Sequence, residues 1–138
     1  MIAIDTGPIV ALFDKNDDKH LICVETFKAI NEPLITTWPV ITEAFYLLGF
    51  SLTVQDDLWE FITRGTVFIS DLDKILIASC RVLMKKYHDL PMDLADASLV
   101  AVADAENIST VFTLDKDFKV YRTKHKKHLK LLPRELNI

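Results

Sequence analysis

The amino-acid sequence predicts one α/β domain, a three-layer α/β/α sandwich with a central, mainly parallel sheet of four to five strands. Short apolar segments alternate along the chain with amphipathic segments of helical spacing, which is the pattern of strand-helix crossover units. The chain has 138 residues, of which 50% are hydrophobic and only three are glycine. This composition suits one packed core without a linker, so we expect residues 1–138 to form a single domain.

The predicted strands are short and apolar, and each ends at a polar or turn-forming residue. They span residues 2–4, 34–37, 66–69 and 110–114, with a fifth candidate at 129–132. Helices are predicted where apolar residues recur at a spacing of three to four, most of them after a Pro or a capping residue. Their approximate ranges are 8–13, 21–30, 39–48, 54–64, 73–87 and 93–106.

Cysteine usage and the N-terminal sequence favour a soluble cytoplasmic protein. Cys23 and Cys80 lie far apart in apolar segments without C-x-x-C spacing, so we expect two reduced core residues rather than a zinc or redox site. Residues 1–5 do not place a basic segment before an apolar run, which argues against a signal peptide. No segment approaches the roughly 18 uninterrupted apolar residues of a membrane span.

Acidic residues directly follow two of the predicted strands. Asp5 comes after the first strand and Asp115 after the fourth. Ligands of open parallel sheets bind beyond the carboxyl ends of the strands, at the point where the strand order reverses. We therefore expect both carboxylates to lie at the same edge of the sheet.

Further acids belong to predicted helices. Asp93 and Asp96 share a face in the first turn of the last long helix, where one acid suffices as a cap. The small neighbours of Asp96 favour a ligand role for it, and capping is favoured for Asp93. Glu43 is the only charge between Trp38 and Leu48. Its burial would be costly without a cation; the alternative is that it faces solvent or pairs with an Arg.

The expected metal site consists of Asp5, Glu43, Asp96 and Asp115. These carboxylates converge only through tertiary folding, and their mutual repulsion would then require a positive charge. An Mg²⁺ or Mn²⁺ ion held by carboxylate oxygens provides that charge and activates water for phosphodiester hydrolysis. The sequence contains neither a G-x-S-x-G motif nor a glycine-rich phosphate-binding loop, so these other hydrolytic or phosphate-binding devices are excluded.

Four short motifs stand in register along nearly the whole chain. They are Asp5-Thr6-Gly7-Pro8-Ile9-Val10-Ala11-Leu12, Thr42-Glu43, Asp96-Ala97-Ser98-Leu99-Val100-Ala101-Val102-Ala103 and Thr113-Leu114-Asp115-Lys116-Asp117-Phe118. Their order and spacing resemble the PIN-domain family, and in particular its VapC-like toxin ribonucleases. The resemblance implies an enzyme that cuts RNA with Mg²⁺ or Mn²⁺, forms a homodimer and pairs with an antitoxin protein.

The resemblance also assigns the acidic positions. Asp5, Glu43 and Asp96 match the first three acidic sites of the family. The fourth site is Asp115 or Asp117, and we rank Asp115 higher because it lies closer to the end of the strand.

Supporting roles follow from the same resemblance. Asp93 is a candidate for an additional metal ligand or water contact, and Thr6 and Thr113 are expected to orient carboxylates through hydrogen bonds. Asn107 stands where relatives often have Gly at the end of a helix. Asn tolerates the left-handed backbone conformation that this position requires, so the departure is minor.

A basic segment near the C-terminus is the feature that favours a polyanionic partner. The net charge of −4 argues against a broad nucleic-acid surface. Residues 119–130, however, contain no acid, and we interpret them either as a rim that attracts RNA or as a solvated tail. The candidate RNA-binding residues are Lys119, Arg122, Lys124, Lys126 and Lys127.

Two alternatives to a nuclease are also open. A receiver-like phosphoacceptor domain has a similar size and clustered acids, but it needs an Asp after a middle strand, whereas Asp56 and Asp57 fall in a predicted helix. A non-catalytic PIN-like module would bind RNA or a protein without cutting it. The presence of all the expected acids argues against this second alternative.

Overall fold

The computed structural model of the chain describes residues 1–124 and 127–137. All of its strands belong to one parallel sheet: β1 (Ile2–Ile4), β2 (Leu34–Thr37), β3 (Val67–Ser70), β4 (Thr110–Phe112) and β5 (Lys130–Leu132). Their order across the sheet is β3-β2-β1-β4-β5, with every neighbouring pair parallel. The predicted α/β architecture is confirmed, and the fifth strand candidate is a strand.

Helices cover both faces of the sheet. They are α1 (Thr6–Phe13), α2 (His20–Ala29), α3 (Trp38–Leu47), α4 (Leu52–Thr63), α5 (Lys74–Lys86) and α6 (Leu94–Ala105), with short 3₁₀ turns at Lys116–Lys119 and Arg134–Asn137. The chain moves outwards from β1 to β3 and then crosses back to β4. Right-handed crossovers therefore put α1–α4 on one face and α5 and α6 on the other. Accordingly, α1 packs with α2, α3 and α4, whereas α6 packs on β1, β2 and α5.

Helix α6 is the buried centre of the second layer, as its nearly all-apolar sequence predicts. Every residue from Ala95 to Ala103 is buried. Because its small and branched side chains leave no polar face, the helix can lie directly on β1 and β2. This position fixes the start of α6 close to the carboxyl edge of the sheet.

Some element boundaries differ from those expected. Strand β4 ends at Phe112 rather than Leu114; the N–H of Thr113 still bonds to the Leu132 carbonyl at 2.9 Å, but the chain then turns. Helix α4 begins after Ser51, whose hydroxyl accepts from the N–H of Val54. The helix therefore begins at Leu52, two residues before the predicted start at residue 54.

The strand order excludes the receiver-like alternative. Receiver domains have the order 2-1-3-4-5, whereas this sheet has β1 at its centre, between β2 and β4. Asp56 and Asp57 lie within α4, away from any strand end. The order reverses between β1 and β4, so the switch point of this sheet lies beside Asp5 and the segment that follows Phe112.

Other expectations concern the cysteines and membranes. Cys23 and Cys80 are buried and form no disulfide, as predicted. Within the described ranges, no helix has the length and apolar character needed to cross a membrane.

The end of α6 is a left-handed cap built on Asn107. Asn107 has a φ of 54°, and the N–H of Ile108 returns to the Ala103 carbonyl at 2.7 Å. The N–H of Asn107 points back to the Asp104 carbonyl at 3.4 Å. This pattern is the Schellman motif, in which glycine is the preferred residue.

We expect Asn107→Gly to keep or raise the free energy of unfolding and Asn107→Ala to lower it by about 1 kcal/mol, because a β-carbon is disfavoured in the left-handed region. Urea unfolding of the two variants beside the wild type measures this difference. An alanine variant as stable as the glycine variant would contradict the assignment of the cap.

Candidate active site

Asp5 lies at the switch point of the sheet and is tied to both central strands. Its N–H continues the β1–β4 ladder by donating to the Phe112 carbonyl at 2.9 Å. Its side chain is 6% exposed, and Oδ2 accepts a hydrogen bond from the Thr113 hydroxyl at 2.8 Å. Thr113 thus orients this carboxylate in the way expected from sequence.

Asp96 reaches the same edge from the first turn of α6. The side chain is 8% exposed, and its Oδ2 accepts from the Tyr121 hydroxyl at 3.3 Å. Its N–H donates to Oδ1 of Asp93 at 2.8 Å, which makes Asp93 the helix cap. The capping interpretation of Asp93 is confirmed, and the Asp96 carboxylate is not needed to cap the helix.

Asp115 is joined to Asp5 through a shared hydroxyl. The N–H of Asp115 donates to the Thr113 Oγ1 at 3.0 Å, the same oxygen whose proton goes to Asp5. The charge of Asp115 raises the pKa of both Asp5 and Asp96. Asp117 is not among the charges that raise those two pKa values; its N–H instead donates to Oδ1 of Asp115 at 2.9 Å. This arrangement favours Asp115 over Asp117 as the fourth acid.

Glu43 approaches the cluster from α3. The side chain is half-buried, and its charge contributes to the raised pKa of Asp5. In the described part of the chain, neither the hydrogen bonds nor the ion pairs include the Glu43 side chain. Pairing with an Arg, the alternative considered from sequence, is therefore not observed.

Burial and, after it, neighbouring negative charge raise the pKa values of the carboxylic acids at this edge. The pKa of Asp5 rises from 3.8 to about 6, chiefly because the group is buried and further because Asp115 and Glu43 lie near it; the Thr113 hydroxyl and the Thr6 N–H act in the opposite direction. The pKa of Asp96 rises to about 8, through burial first and then through the charges of Asp5, Asp93 and Asp115. Among the described residues the ion pairs are Met1–Glu32, Arg64–Glu60 and His88–Asp89, so no ion pair in this part of the chain includes Asp5 or Asp96.

The donor set suits a hydrated hard cation. All the groups at this edge are oxygen donors, which Mg²⁺ and Mn²⁺ prefer. Across the described ranges, no three Asp, Glu, His or Cys side chains are grouped closely enough to enclose a metal ion by themselves. Mg²⁺ usually keeps several waters and takes only one or two carboxylates directly, so the cluster fits such an ion rather than an all-protein cage.

Thr6 has a different role from the one expected. Its hydroxyl donates to the Val40 carbonyl at 3.5 Å rather than to a carboxylate. Only its backbone N–H acts on Asp5, where it favours the charged form. The reason is local: Thr6 opens α1, so its N–H is one of the unpaired groups at the helix start, whereas its side chain lies against α3.

Sequence reasoning missed three hydroxyl groups that organise the site. The Thr37 and Ser98 hydroxyls are 2.7 Å apart, and Ser98 also donates to the Ala95 carbonyl at 2.8 Å. Thr37 is therefore the donor of this pair, which joins the start of α3 to α6. The third hydroxyl belongs to Tyr121, 25 residues after Asp96. Ser98 stands in the Asp96 motif and could have been suspected, but no sequence signal connects Tyr121 with the acids.

The structure places the described distal part of the basic segment away from the acids, and its predicted role as an RNA-binding rim stays a prediction. The N–H of Lys124 donates to Oδ1 of Asp104, eight residues after Asp96 and therefore about 12 Å along the helix. Lys127 lines a cavity with Asn107 and Ser109, at the amino end of β4. The physical reason is topological: β5 is parallel to β4, so the chain must return to the amino edge before β5 can begin.

The other predicted cations differ in position. The Arg122 guanidinium donates to the carbonyls of Lys119, Val120 and Tyr121, which turns it back on its own segment. Lys119 is the last residue of the 3₁₀ turn that Asp115 caps. Lys126 lies outside the described residues.

Comparison with known proteins agrees with this geometry. The family model of the PIN domain matches residues 2–124. Ribonuclease VapC26 of Mycobacterium tuberculosis is 27% identical over 123 residues, which cover 82% of this chain and 85% of that protein. The crystal structure of VapC20 of the same organism, described as a sarcin-ricin loop cleaving toxin, has a TM-score of 0.80 at 17% identity and covers 87% of this chain and 94% of its own.

A second solved structure has the same fold, with a lower TM-score. The crystal structure of VapBC2 from Rickettsia felis, determined bound to a DNA fragment from their promoter, contains a chain with a TM-score of 0.62 at 22% identity. The likeness covers 95% of this chain and 97% of that one. The resemblance inferred from the four acidic motifs is thus confirmed at the level of family and fold.

In the absence of divalent cations, the free energy of unfolding is expected to fall as the pH rises from about 5 to about 8.5. The folded-state pKa values of Asp5 and Asp96, about 6 and about 8, exceed the usual 3.8. Between pH 3.8 and about 8 the folded chain binds more protons than the unfolded chain. The free energy of unfolding therefore decreases as the pH rises. The stability that depends on the protons of Asp5 and Asp96 is fully present at a pH below their unfolded-state pKa. It is lost once the pH exceeds their folded-state pKa.

Urea unfolding in EDTA at several pH values measures this dependence. Asp96→Asn removes the group with the higher pKa, so the decrease above pH 6 should flatten in that variant. A wild-type stability that is constant or rises over this range would contradict the described electrostatics.

Proposed function

The chain belongs to the PIN-domain family, and on this premise we propose that it is a metal-dependent ribonuclease that hydrolyses RNA phosphodiester bonds. The observation that carries the proposal is the burial of Asp5 and Asp96 beside the charges of Asp115 and Glu43. Among the described residues, no Lys, Arg or His forms an ion pair with any of these acids. A purely structural cluster of this kind would only destabilise the fold. A bound cation relieves the repulsion between the carboxylates, and this relief strengthens the binding of the cation.

The proposed division of roles follows from burial and hydrogen bonding. Asp5 and Asp96 are the deep ligands, each with one oxygen held by a hydroxyl. Asp115 and Glu43 complete the negative field, and Asp93 caps α6 while adding charge next to Asp96. An Mg²⁺ or Mn²⁺ ion, when bound, supplies activation of water and positive charge at the scissile phosphate.

The backbone around the cluster supports a phosphate as well as a cation. Helices α1 and α6 both begin at this edge, after Asp5 and Asp93. The amino end of a helix carries partial positive charge and unpaired N–H groups, which favour a phosphate nearby. Lys119 ends the 3₁₀ turn that Asp115 caps, so we keep it in the proposed RNA site. Lys124 and Lys127 lie towards the amino edge of the sheet, and we do not include them.

The relatives support a toxin of a toxin-antitoxin pair. VapC26 is named a ribonuclease, VapC20 is described as a toxin that cleaves the sarcin-ricin loop, and the second structural relative comes from a VapBC2 structure. By this analogy we propose that the chain cuts an RNA, forms a homodimer and binds an antitoxin protein. The analogy rests on family membership, and the acidic site is independent of it.

Asp5→Asn and Asp96→Asn are each expected to lower the rate of RNA cleavage by at least about 100-fold, because loss of a buried ligand removes several kcal/mol of charge stabilisation. Cleavage of RNA with Mg²⁺ or Mn²⁺, before and after EDTA, measures the effect. Asp57→Asn is the matched control, since Asp57 is an exposed acid on α4.

Full activity of either site variant would contradict the proposed site. RNA binding without cleavage by the wild type would favour the non-catalytic PIN-like module instead. Retained folding of each variant is checked by circular dichroism.

Divalent cations are expected to stabilise the wild type, with a stronger effect at pH 8 than at pH 5.5, because protons and cations compete for Asp5 and Asp96. At a free Mn²⁺ concentration about 100 times the Kd, the gain should reach about 2.7 kcal/mol. Thermal unfolding with and without Mn²⁺ measures the gain, which Asp57→Asn should retain and Asp96→Asn should lose. Equal stabilisation of wild type and Asp96→Asn would place the cation elsewhere.

A further inference from the structure

Tyr121 is a completely buried tyrosine whose hydroxyl lies at the acidic cluster. Its side chain is 0% exposed, and the hydroxyl donates to Oδ2 of Asp96 at 3.3 Å. A buried tyrosine hydroxyl needs a hydrogen-bond partner. Within the described ranges, the only side chain that provides one is Asp96.

The ring of Tyr121 is fixed by its neighbours. It makes edge contacts with Tyr87 and with Phe118, each at 5.0 Å between ring centroids. Its N–H returns to the Asp117 carbonyl at 3.3 Å. A side chain with two rotatable bonds and contacts on two sides cannot turn away, so its hydroxyl is a fixed donor.

The Tyr121 hydroxyl acts as a donor in this contact. A tyrosine hydroxyl ordinarily keeps its proton below a pH of about 10, and here the proton is directed at Oδ2 of Asp96.

We propose that Tyr121 is a positioning residue, whose hydroxyl holds Oδ2 of Asp96 so that Oδ1 is the oxygen left for a cation. The inference rests on the proposed metal-dependent function. Tyr121 also follows the 3₁₀ turn that Asp115 caps, so the same bond ties the segment after β4 to the start of α6. The two elements that supply Asp115 and Asp96 are thereby held together.

Tyr121→Phe tests the role of the hydroxyl, with Tyr87→Phe as the matched control. Tyr87 belongs to the same aromatic cluster, but its hydroxyl accepts from the N–H of Arg122 rather than serving a carboxylate. Substitution of a residue that hydrogen-bonds to a metal ligand commonly lowers metal affinity or activity by about 10- to 100-fold. We expect Tyr121→Phe to weaken Mn²⁺ binding in calorimetry by about 10-fold or more, and to lower kcat for RNA with little change in KM. Tyr87→Phe should leave both quantities near the wild-type values.

A spectroscopic readout separates this inference from the proposed function. The carboxyl ¹³C resonance of Asp96 should shift in Tyr121→Phe and stay in place in Tyr87→Phe, whether or not the chain cuts RNA. An unchanged Asp96 resonance would overturn the inference. If the wild type cuts RNA and Tyr121→Phe does so equally well with equal Mn²⁺ affinity, the function stands and the positioning role is refuted.

A measurement on the wild type covers the case in which the Phe variant does not fold. Titration with Mg²⁺ should shift the ¹³Cζ resonance of Tyr121 and leave that of Tyr87 unchanged. A titration that leaves Tyr121 unshifted while RNA is cleaved would refute the positioning role. Absence of both the shift and cleavage would refute the proposed function, and the role of Tyr121 with it.

Discussion

Buried carboxylates cannot all remain ionised beside one another unless positive charge offsets their repulsion, and the switch point of this sheet places Asp5 and Asp96 under that constraint. Both residues are almost inaccessible to water, and the charge of Asp5 raises the pKa of Asp96. The free protein can satisfy the constraint by taking up protons. Under the proposed function a divalent cation would satisfy the constraint without protons and would supply positive charge for phosphodiester chemistry.

Hydroxyl groups hold the carboxylates in place without neutralising them. Thr113 connects Asp5 to the backbone of the segment after β4. Thr37 and Ser98 join the start of α3 to α6. A lysine or arginine in place of one of these hydroxyl residues would offset the repulsion between the carboxylates. A cation would then gain less free energy from binding to them. Neutral donors leave the negative field intact and still fix its geometry.

Sequence reasoning located the candidate residues best where their place depends on local position. Asp5 could be placed at the sheet edge because it directly follows a short apolar strand, and Asp93 could be identified as the cap of α6 because one acid suffices to cap a helix. Glu43 was identified as an isolated charge in an apolar helix. Each of these signals lies within one element, and the parallel sheet then fixes where the elements meet.

What sequence reasoning missed depends on how distant elements pack. Tyr121 has the composition of an ordinary core aromatic, and only the tertiary fold reveals its contact with Asp96. The basic segment was interpreted as part of an RNA-binding rim because residues 119–130 concentrate positive charge without an acidic residue. The parallel register of β5 instead requires that segment to travel towards the opposite edge, which a charge pattern alone does not reveal.

The shared oxygen of Thr113 makes the two oxygens of Asp5 chemically inequivalent. Because the Asp115 amide occupies one lone pair of the Thr113 hydroxyl, the hydroxyl proton has a fixed direction and points at Oδ2. A proton that enters Asp5 is therefore directed to Oδ1, because Oδ2 already accepts the Thr113 hydroxyl. Under the proposed function a cation at this oxygen would have to displace that proton, so acid would oppose metal binding at Asp5.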